Sequence, residues 1–497
     1  MPHSASSSTC TRSAVFLAAV FGLISVAGAE GAPQEPASAV QRIDVDFSAP
    51  VGTIRPLFGV NCGPYAANFT IDLSDQFREL KIPLVRPIAP NYPGQDCVHI
   101  QYIFRNMDAD ADDPANYDFE LTDRYIGAIM AVGAKPIYNL GLGVDIYLVE
   151  EAKSGYKKAK SNRMPADSAK FAKICANIVR HYNQGWASGF HYNIEYWEIW
   201  NEPNLKSFWL GTQEEYLEFY SVVSKVLKEL DPALKVGGPA FSGGSDLATF
   251  RWLEDFLASC QKRNLPLDFC SWHSYGADHV MPLKQIAEVH RLLLKYGYPK
   301  TENQLDEWAP AFRSFNDWFY DPVEMGKQFE RIGSAEGGSF DVAFLTFLQD
   351  TTITGAAYYA GDTLGFGFAD RYGARRPIFY AFKAFSQMLE TPARVKASGS
   401  DIEKGVSVLA GLSADKKHAN ILVSNYRGDL SKVEIHVSGL PWTSETTVTR
   451  QVVDQTHSLD TVATDLFLHD ALVIASPSPR STVSLFSLVP GNTPSGK

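Results

Sequence analysis

Between residues 57 and 390, short apolar runs alternate eight times with amphipathic stretches, and this rhythm leaves the chain few folds to choose from. The runs cover residues 57–63, 83–88, 134–141, 196–203, 235–241, 268–276, 303–310 and 355–360, and most are bounded by Gly, Pro, Asn or Asp. The stretches between them carry the helical period. Phe171, Ile174, Cys175, Ile178, Val179 and Tyr182 form one stripe; Tyr216, Phe219, Tyr220, Val223, Val226, Leu227 and Leu230 form another. Thr212 with Glu215 reads as a capping box that opens the second helix, and Asp231-Pro232 ends it. Eight strand-plus-helix units predict a (β/α)8 barrel over residues 42–392. A doubly wound open sheet fits the same alternation, but no glycine-rich phosphate loop follows the first strand.

The texture changes after Glu390. Short alternating runs separated by turn residues replace the helical period, which predicts a smaller C-terminal β-sandwich over residues 393–490. The alternating segment 42–48, counted with the barrel, is a candidate extra strand of that sandwich. Residues 491–497 read as a disordered tail. At the other end, Arg12, the apolar run 14–27 and Ala27-Gly28-Ala29 have the form of a signal peptide over residues 1–29, followed by a Pro- and Ala-rich linker, 30–41. Fourteen apolar residues fall short of the roughly 20 that a membrane span needs. The expected product is secreted or periplasmic, with no membrane insertion once the signal is cleaved.

A net charge of −11 argues against nucleic acid and anionic membrane surfaces as partners. Five cysteines follow the signal. Cys260 and Cys270 are near enough in sequence to pair, whereas Cys175 lies on a helical apolar stripe and reads as core. No C-x-x-C pair is present, so neither a zinc site nor a thioredoxin-like redox site is read, and no metal or organic cofactor is expected. The sequence is silent on oligomeric state.

Two strand ends carry the chemistry. The fourth run reads Tyr196-Trp197-Glu198-Ile199-Trp200-Asn201-Glu202-Pro203; Pro203 stops the strand and leaves Glu202 at the C-terminal rim, where barrel enzymes place their reactive groups. Strict alternation would put Glu198, Trp200 and Glu202 on one face and Asn201 on the other. The seventh run, Gln304-Leu305-Asp306-Glu307-Trp308-Ala309-Pro310, again ends in a carboxylate, an aromatic residue and a proline. Alternation would allow only one of Asp306 and Glu307 to face inward. Two carboxylates about 5–5.5 Å apart can cleave a glycosidic bond with retention, one as acid/base and the other as an ionised nucleophile surrounded by donors. Trp200, Trp209, Trp308 and Trp318 are candidate platforms for sugar rings, with Tyr92 and Tyr147 behind them. The basic run 153–163 reads as a solvated loop.

With a His-x-Tyr in Ser271-Trp272-His273-Ser274-Tyr275, these motifs resemble retaining (β/α)8 glycosidases whose catalytic residues lie on strands four and seven. The extension Asn204-Leu205 followed by Phe208-Trp209 resembles glycoside hydrolase family 39, which holds β-xylosidases, α-L-iduronidases and exopolysaccharide glycosidases. The resemblance implies Glu202 as acid/base, Glu307 as nucleophile and Asn201 on the sugar 2-hydroxyl. It implies His273 and Tyr275 beside the nucleophile, with Tyr275 donating to it, and Arg86 as the cation that keeps it ionised. Trp308 and Trp209 join them as substrate contacts, and the substrate is an oligo- or polysaccharide. Two departures are visible. Asp306 stands where Thr or Ser is usual, and Tyr358-Tyr359 replaces a tryptophan of the eighth strand. A non-catalytic carbohydrate-binding protein and a transglycosidase with the same residues stay open at this point.

Overall fold

The computed structural model describes residues 39–491 apart from 68, 89–95, 142–146, 151–156, 161–163, 245, 319–320, 364 and 469–471. The signal segment, most of the expected linker, the tail after Gly491, Tyr92 and parts of the 153–163 run lie outside the described residues. The first strand, β1 (Ala39–Thr53), does not enter the barrel. Eight strands that follow do: β2 (Gly59–Asn61), β3 (Leu84–Arg86), β4 (Lys135–Leu140), β5 (Tyr196–Ile199), β6 (Lys235–Ser242), β7 (Phe269–Gly276), β8 (Glu302–Pro310) and β9 (Gly355–Tyr358). Each pairs in parallel with the next, and β9 closes on β2. All eight apolar runs read from the sequence are therefore barrel staves.

Amphipathic helices cover the staves. In α1 (Ser168–Gln184), Asp167 caps the N-terminus by accepting from the backbone N–H of Ala169 and Lys170, and Gly185 closes the C-terminus with φ 75°. Before α2 (Gln213–Leu230) the capping box forms as expected: Thr212 N–H donates to Glu215 at 2.7 Å, and Glu215 N–H donates back to Thr212 Oγ1 at 3.2 Å. Phe171 of α1 meets Phe219 of α2 edge-on at 5.1 Å, so the two stripes interlock.

The chain then adds eight strands to β1: β10 (Ala393–Ala397), β11 (Val406–Leu412), β12 (Ala419–Asn425), β13 (Leu430–Ser438), β14 (Thr446–Val453), β15 (Ser458–Phe467), β16 (Val473–Pro477) and β17 (Thr482–Pro490). They are hydrogen-bonded in one continuous order, β15-β14-β17-β12-β11-β10-β1-β13-β16, in a sheet curled around a second core. Ile43, Val45 and Phe47 of β1 alternate into that core beside Val408, Ile421, Ile435 and Phe486. Residues 39–41, read as linker, are part of this strand, and the barrel begins at β2 instead of residue 42. The opposite face, with Leu409, Leu422 and Leu485, joins the barrel core. Burial on both faces explains why β11 and β12 are almost continuously apolar.

Between barrel and sheet run α3 (Ala335–Leu348) and α4 (Pro377–Gln387). Every residue of α3 except Glu336 is buried, as its largely apolar surface requires. Asp341 is the exception in kind: it is 0 % exposed, and neither carboxyl oxygen has a hydrogen-bond partner. Burial pushes its pKa well above the ordinary aspartate range, so it folds protonated. The unfolded chain releases that proton above about pH 3.9, so stability is fullest below that value and falls as pH rises toward the folded value, by at most ~1.4 kcal/mol per pH unit. Asp341→Asn removes the linkage. Thermal melts from pH 4 to 8 should show the variant gaining on wild type as pH rises; a gap independent of pH would refute the assignment.

The cysteines are packing groups. Cys62, Cys97, Cys175, Cys260 and Cys270 are all buried and none is in a disulfide, so the Cys260–Cys270 pairing considered above does not form. Cys260 fills the inner face of the helix Phe250–Arg263, Cys270 lies within β7, and burial raises the pKa of both thiols. Among the described residues no helix is long and apolar enough to cross a membrane.

Candidate active site

Arg86 is the last residue of β3 and is fully buried at the C-terminal end of the barrel. Its guanidinium binds three carboxylates at once. Nη2 lies 2.7 Å from Glu198, Nε 3.0 Å from Asp306 and Nη1 3.0 Å from Glu307. It also donates to Asn61 Oδ1 at 3.2 Å and to Asn201 Oδ1 at 2.7 Å. Burial alone would lower its pKa, yet the three acids raise it, and Arg86 stays a cation. Lysine could not replace it, because only a planar fork reaches partners on three different staves.

The end of β5 does not follow simple alternation. Trp200 and Glu202 adopt left-handed backbone conformations, φ 69° and 44°. Trp200 N–H donates to Leu140 O at 3.1 Å, and Glu202 N–H to Ala240 O at 2.9 Å, so both neighbouring staves hold the turn in place. The twist sends Trp200 outward, where its ring meets Trp209 and Phe219 and its Nε1 donates to Phe208 O at 2.9 Å. Glu198, Asn201 and Glu202 all face the lumen. The expected grouping of Trp200 with Glu202 and exclusion of Asn201 is thereby reversed. His273 of β7 places Nδ1 2.8 Å from Glu202 Oε1.

A β-bulge shapes the other half of the site. Leu305 pairs with Trp272 and Glu307 with His273, so Asp306 is the extra residue. The bulge turns both Asp306 and Glu307 toward Arg86, contrary to the expectation that only one could point inward. Tyr275 donates its hydroxyl to Glu307 Oε1 while Arg86 holds Oε2. Burial, reinforced by the charge of Glu307, keeps the Tyr275 phenol well above its ordinary pKa, so it remains a donor. The two halves differ in access: the side chains of Arg86, Glu198 and Asp306 are 0 % exposed, whereas Glu202 and Glu307 retain 11 % and 13 %. Only the last two can meet a substrate.

One oxygen of Glu202, one of Glu307 and a ring nitrogen of His273 lie within 4.8 Å of one another, the single such grouping of ligating side chains among the described residues. The groups around it are donors, Arg86 and Tyr275, which suits charge and proton handling better than a cation. A cavity of about 490 Å³ opens beside His273 and Tyr275, bounded by Ser242, Met281, Phe312 and Phe315.

Six of the eight sequence-predicted site residues thus converge: Glu202, Glu307, Asn201, His273, Tyr275 and Arg86. Trp209 and Trp308 do not. Trp209 packs on Trp200 and Tyr216 and caps the entry to α2 through Nε1 to Thr212 O at 2.9 Å. Trp308 follows Glu307 on the strand and so points away from the lumen, onto Phe344 of α3 at 4.8 Å. Trp318 is likewise buried, against Phe315 and Phe329. The aromatic rings lining the cavity are instead Tyr275, Phe312 and Phe315, and Tyr359 and Phe366 pack against Tyr275 at 6.3 and 6.0 Å. Glu198, Asp306, Asn61 and Asn139 were also missed as site residues. Asn139 donates to Glu198 at 2.8 Å and to Trp200 O at 2.6 Å, locking the turn to the acid beneath it.

Comparison with known proteins places this chain among relatives. The profile of glycosyl hydrolases family 39 matches residues 94–459. A β-xylosidase of Geobacillus stearothermophilus is 27% identical over 315 residues, which span 58% of this chain and 59% of the relative. A β-xylosidase of Caldicellulosiruptor saccharolyticus is 25% identical over 354 residues, 67% of each chain. The crystal structure of a glucosidase from Croceicoccus marinus superposes with a TM-score of 0.74 at 25% identity, covering 91% of this chain and all of that one. The chain thus spans about three fifths of the first of these relatives and the whole of the structural neighbour.

Proposed function

We propose that this chain, which belongs to glycosyl hydrolases family 39, hydrolyses O-glycosidic bonds of an oligo- or polysaccharide by double displacement, with Glu307 as nucleophile and Glu202 as acid/base. The observation that carries this reading is the asymmetry of two partly exposed carboxylates whose oxygens lie within 4.8 Å of each other. That spacing is close to the ~5–5.5 Å of retaining sites and well short of the ~6.5–9.5 Å that leaves room for an attacking water. Glu307 receives a donor on each oxygen, Arg86 on Oε2 and Tyr275 on Oε1, which fixes its carboxylate for attack. Glu202 lies 2.8 Å from the ring of His273 and keeps 11 % of its side chain exposed, within reach of a leaving oxygen.

In the first step Glu307 attacks the anomeric carbon, the bond to the leaving oxygen breaks, and that oxygen takes the proton of Glu202. In the second, Glu202 removes a proton from water as the water oxygen displaces Glu307, restoring both groups. Asn201 turns its carbonyl oxygen to Arg86, which leaves its amide to donate to the sugar 2-hydroxyl, a contact that strengthens as charge develops on the ring. The Tyr275 and Arg86 contacts orient the attacking oxygen and cost no reorganisation at the moment of reaction.

The named relatives make β-xylosides the first substrates to offer and β-glucosides the second. An exported location, from the form of residues 1–29, would put the enzyme among polymers outside the cytoplasm. A panel of activated 2-fluoro glycosides, read by intact mass and peptide mapping, tests the mechanism. Since the fluorine slows both steps and the activated leaving group speeds only the first, one equivalent of glycosyl adduct should accumulate on Glu307. An adduct on Asp306 would reassign the nucleophile; sustained turnover of ordinary glycosides with no adduct from the matching sugar would rule out retention through a glycosyl-enzyme.

A further inference from the structure

The double-displacement reading uses Glu202 and Glu307 and leaves two carboxyl groups beneath them without a role. Glu198 and Asp306 share the buried guanidinium of Arg86, and the side chains of all three are 0 % exposed. Three carboxylates on one cation, with Glu307 the third, leave an excess of negative charge in a part of the barrel that water does not reach. Burying charge without compensation is costly, and a proton is the simplest remedy.

The hydrogen bonds decide which group carries it. Glu307 is served by Arg86 and Tyr275. Glu198 accepts from Asn139 at 2.8 Å and from Arg86 at 2.8 Å, and although burial opposes its ionisation, Arg86 keeps its pKa below the usual range. Asp306 is otherwise poorly served. Arg86 Nε faces it at 3.0 Å but also serves Glu198, and neither Asp306 oxygen has a well-formed hydrogen bond from a donor. Its other neighbours confirm the deficit. Asn61 of β2 donates to the backbone oxygen of Asp306 and not to its carboxyl. From β7, Cys270 faces it as a buried neutral thiol and His273 Nε2 stands 3.6 Å away. Along β8, Glu307 adds a like charge.

We propose that Asp306 stands in the resting protein as a neutral carboxylic acid whose proton is donated to Glu198, so that the charge of Arg86 is divided between two carboxylates, Glu198 and Glu307, instead of three. Asp306 is then a positioning residue. The bulge that brings it inward lets it clamp Glu198, and through Glu198 the fork of Arg86, in the orientation that holds Glu307. The direction of its pKa agrees: burial first, and Glu198 next, raise it well above the ordinary aspartate range. The effect on catalysis rests on Glu307 being the nucleophile; the protonation of Asp306 does not, so the two readings can fail separately.

Asp306→Asn tests it. An amide can donate to Glu198 as the acid does and still present an oxygen to Arg86, so the variant should fold and melt like wild type. At neutral pH the infrared difference spectrum of wild type minus D306N should show one carbonyl band of a protonated carboxyl group, and the subtraction removes the contribution of Asp341. The acidic limb of the pH profile of kcat/KM for D306N should stay where it lies in wild type, because no charge has been removed. A difference spectrum without the band overturns the proposal. So does a D306N that is insoluble, or an acidic limb displaced downward by a pH unit or more, the sign of a lost negative charge beside Glu307.

Discussion

Glu307→Gln is expected to reduce turnover of every glycoside by on the order of 10⁴-fold or more, whatever the leaving group, because no other carboxylate can reach the anomeric carbon. Asp306, its neighbour, is sealed at 0 % exposure and tied to Arg86. Glu202→Ala should fail differently. On a substrate with a poor leaving group, loss of the acid costs about 10²–10⁴-fold. An activated phenolate leaves without a proton, so the first step survives and the glycosyl-enzyme accumulates. Azide needs no general base, and the cavity next to His273 can admit it once the carboxylate is gone. Added azide should therefore restore turnover of the activated substrate and give a glycosyl azide of unchanged anomeric configuration. The measurement is kcat/KM for the two variants on an activated and an unactivated glycoside, with and without azide. Equal losses on both substrates in Glu202→Ala, with no response to azide, would remove Glu202 from the acid/base role.

The contrast depends on features that a linear reading could only partly supply. Strand ends were legible because proline punctuates them: Pro87 after Arg86, Pro203 after Glu202 and Pro310 after Glu307. The eight staves were legible because each is an apolar run of strand length between amphipathic helices. The facing of side chains at the rim was not legible, since it turns on backbone states that neighbouring staves impose. Trp200 and Glu202 are left-handed because Leu140 and Ala240 capture their N–H groups, and nothing in residues 196–203 announces this. The bulge at Asp306 exists only in register with Trp272 and His273. One signal was available: two adjacent acids at a strand end cannot both be accommodated by strict alternation, and a bulge resolves the conflict. Trp308 could have been set aside on the same rule, because it follows the inward Glu307. Trp209 was misread because an aromatic residue near a motif suggests a sugar platform, whereas its indole N–H was needed where the chain enters α2. The path of β1 is a tertiary outcome: its Ile43, Val45 and Phe47 alternate equally well for either domain, and only the apolar face of the curled sheet selects one.

Arg86→Met should have the largest effect on the folded state and an effect on catalysis comparable with loss of Glu307. Methionine approximates the volume of the stem but supplies no charge, so Glu198 and Glu307 lose their shared cation, and Asn61 and Asn201 lose their donor. Breaking a buried ion pair by removing one partner typically costs about 3–5 kcal/mol. Because these groups are shielded from solvent, added salt should not restore the loss, as it can for an exposed pair. The double replacement Arg86→Met with Glu198→Gln separates folding from chemistry. It removes the orphaned charge with no route to water, so much of the lost stability should return through coupling between the two sites. Activity should not return, since Glu307 still lacks the donor on Oε2 and Asn201 is no longer oriented. Thermal melts of the single and double variants, set beside kcat/KM on an activated glycoside, test both halves. If Arg86→Met melts with wild type, the charge cluster does not bear on the fold. If the double variant regains activity along with stability, Arg86 acts through folding alone, and the role assigned to it at the nucleophile is wrong.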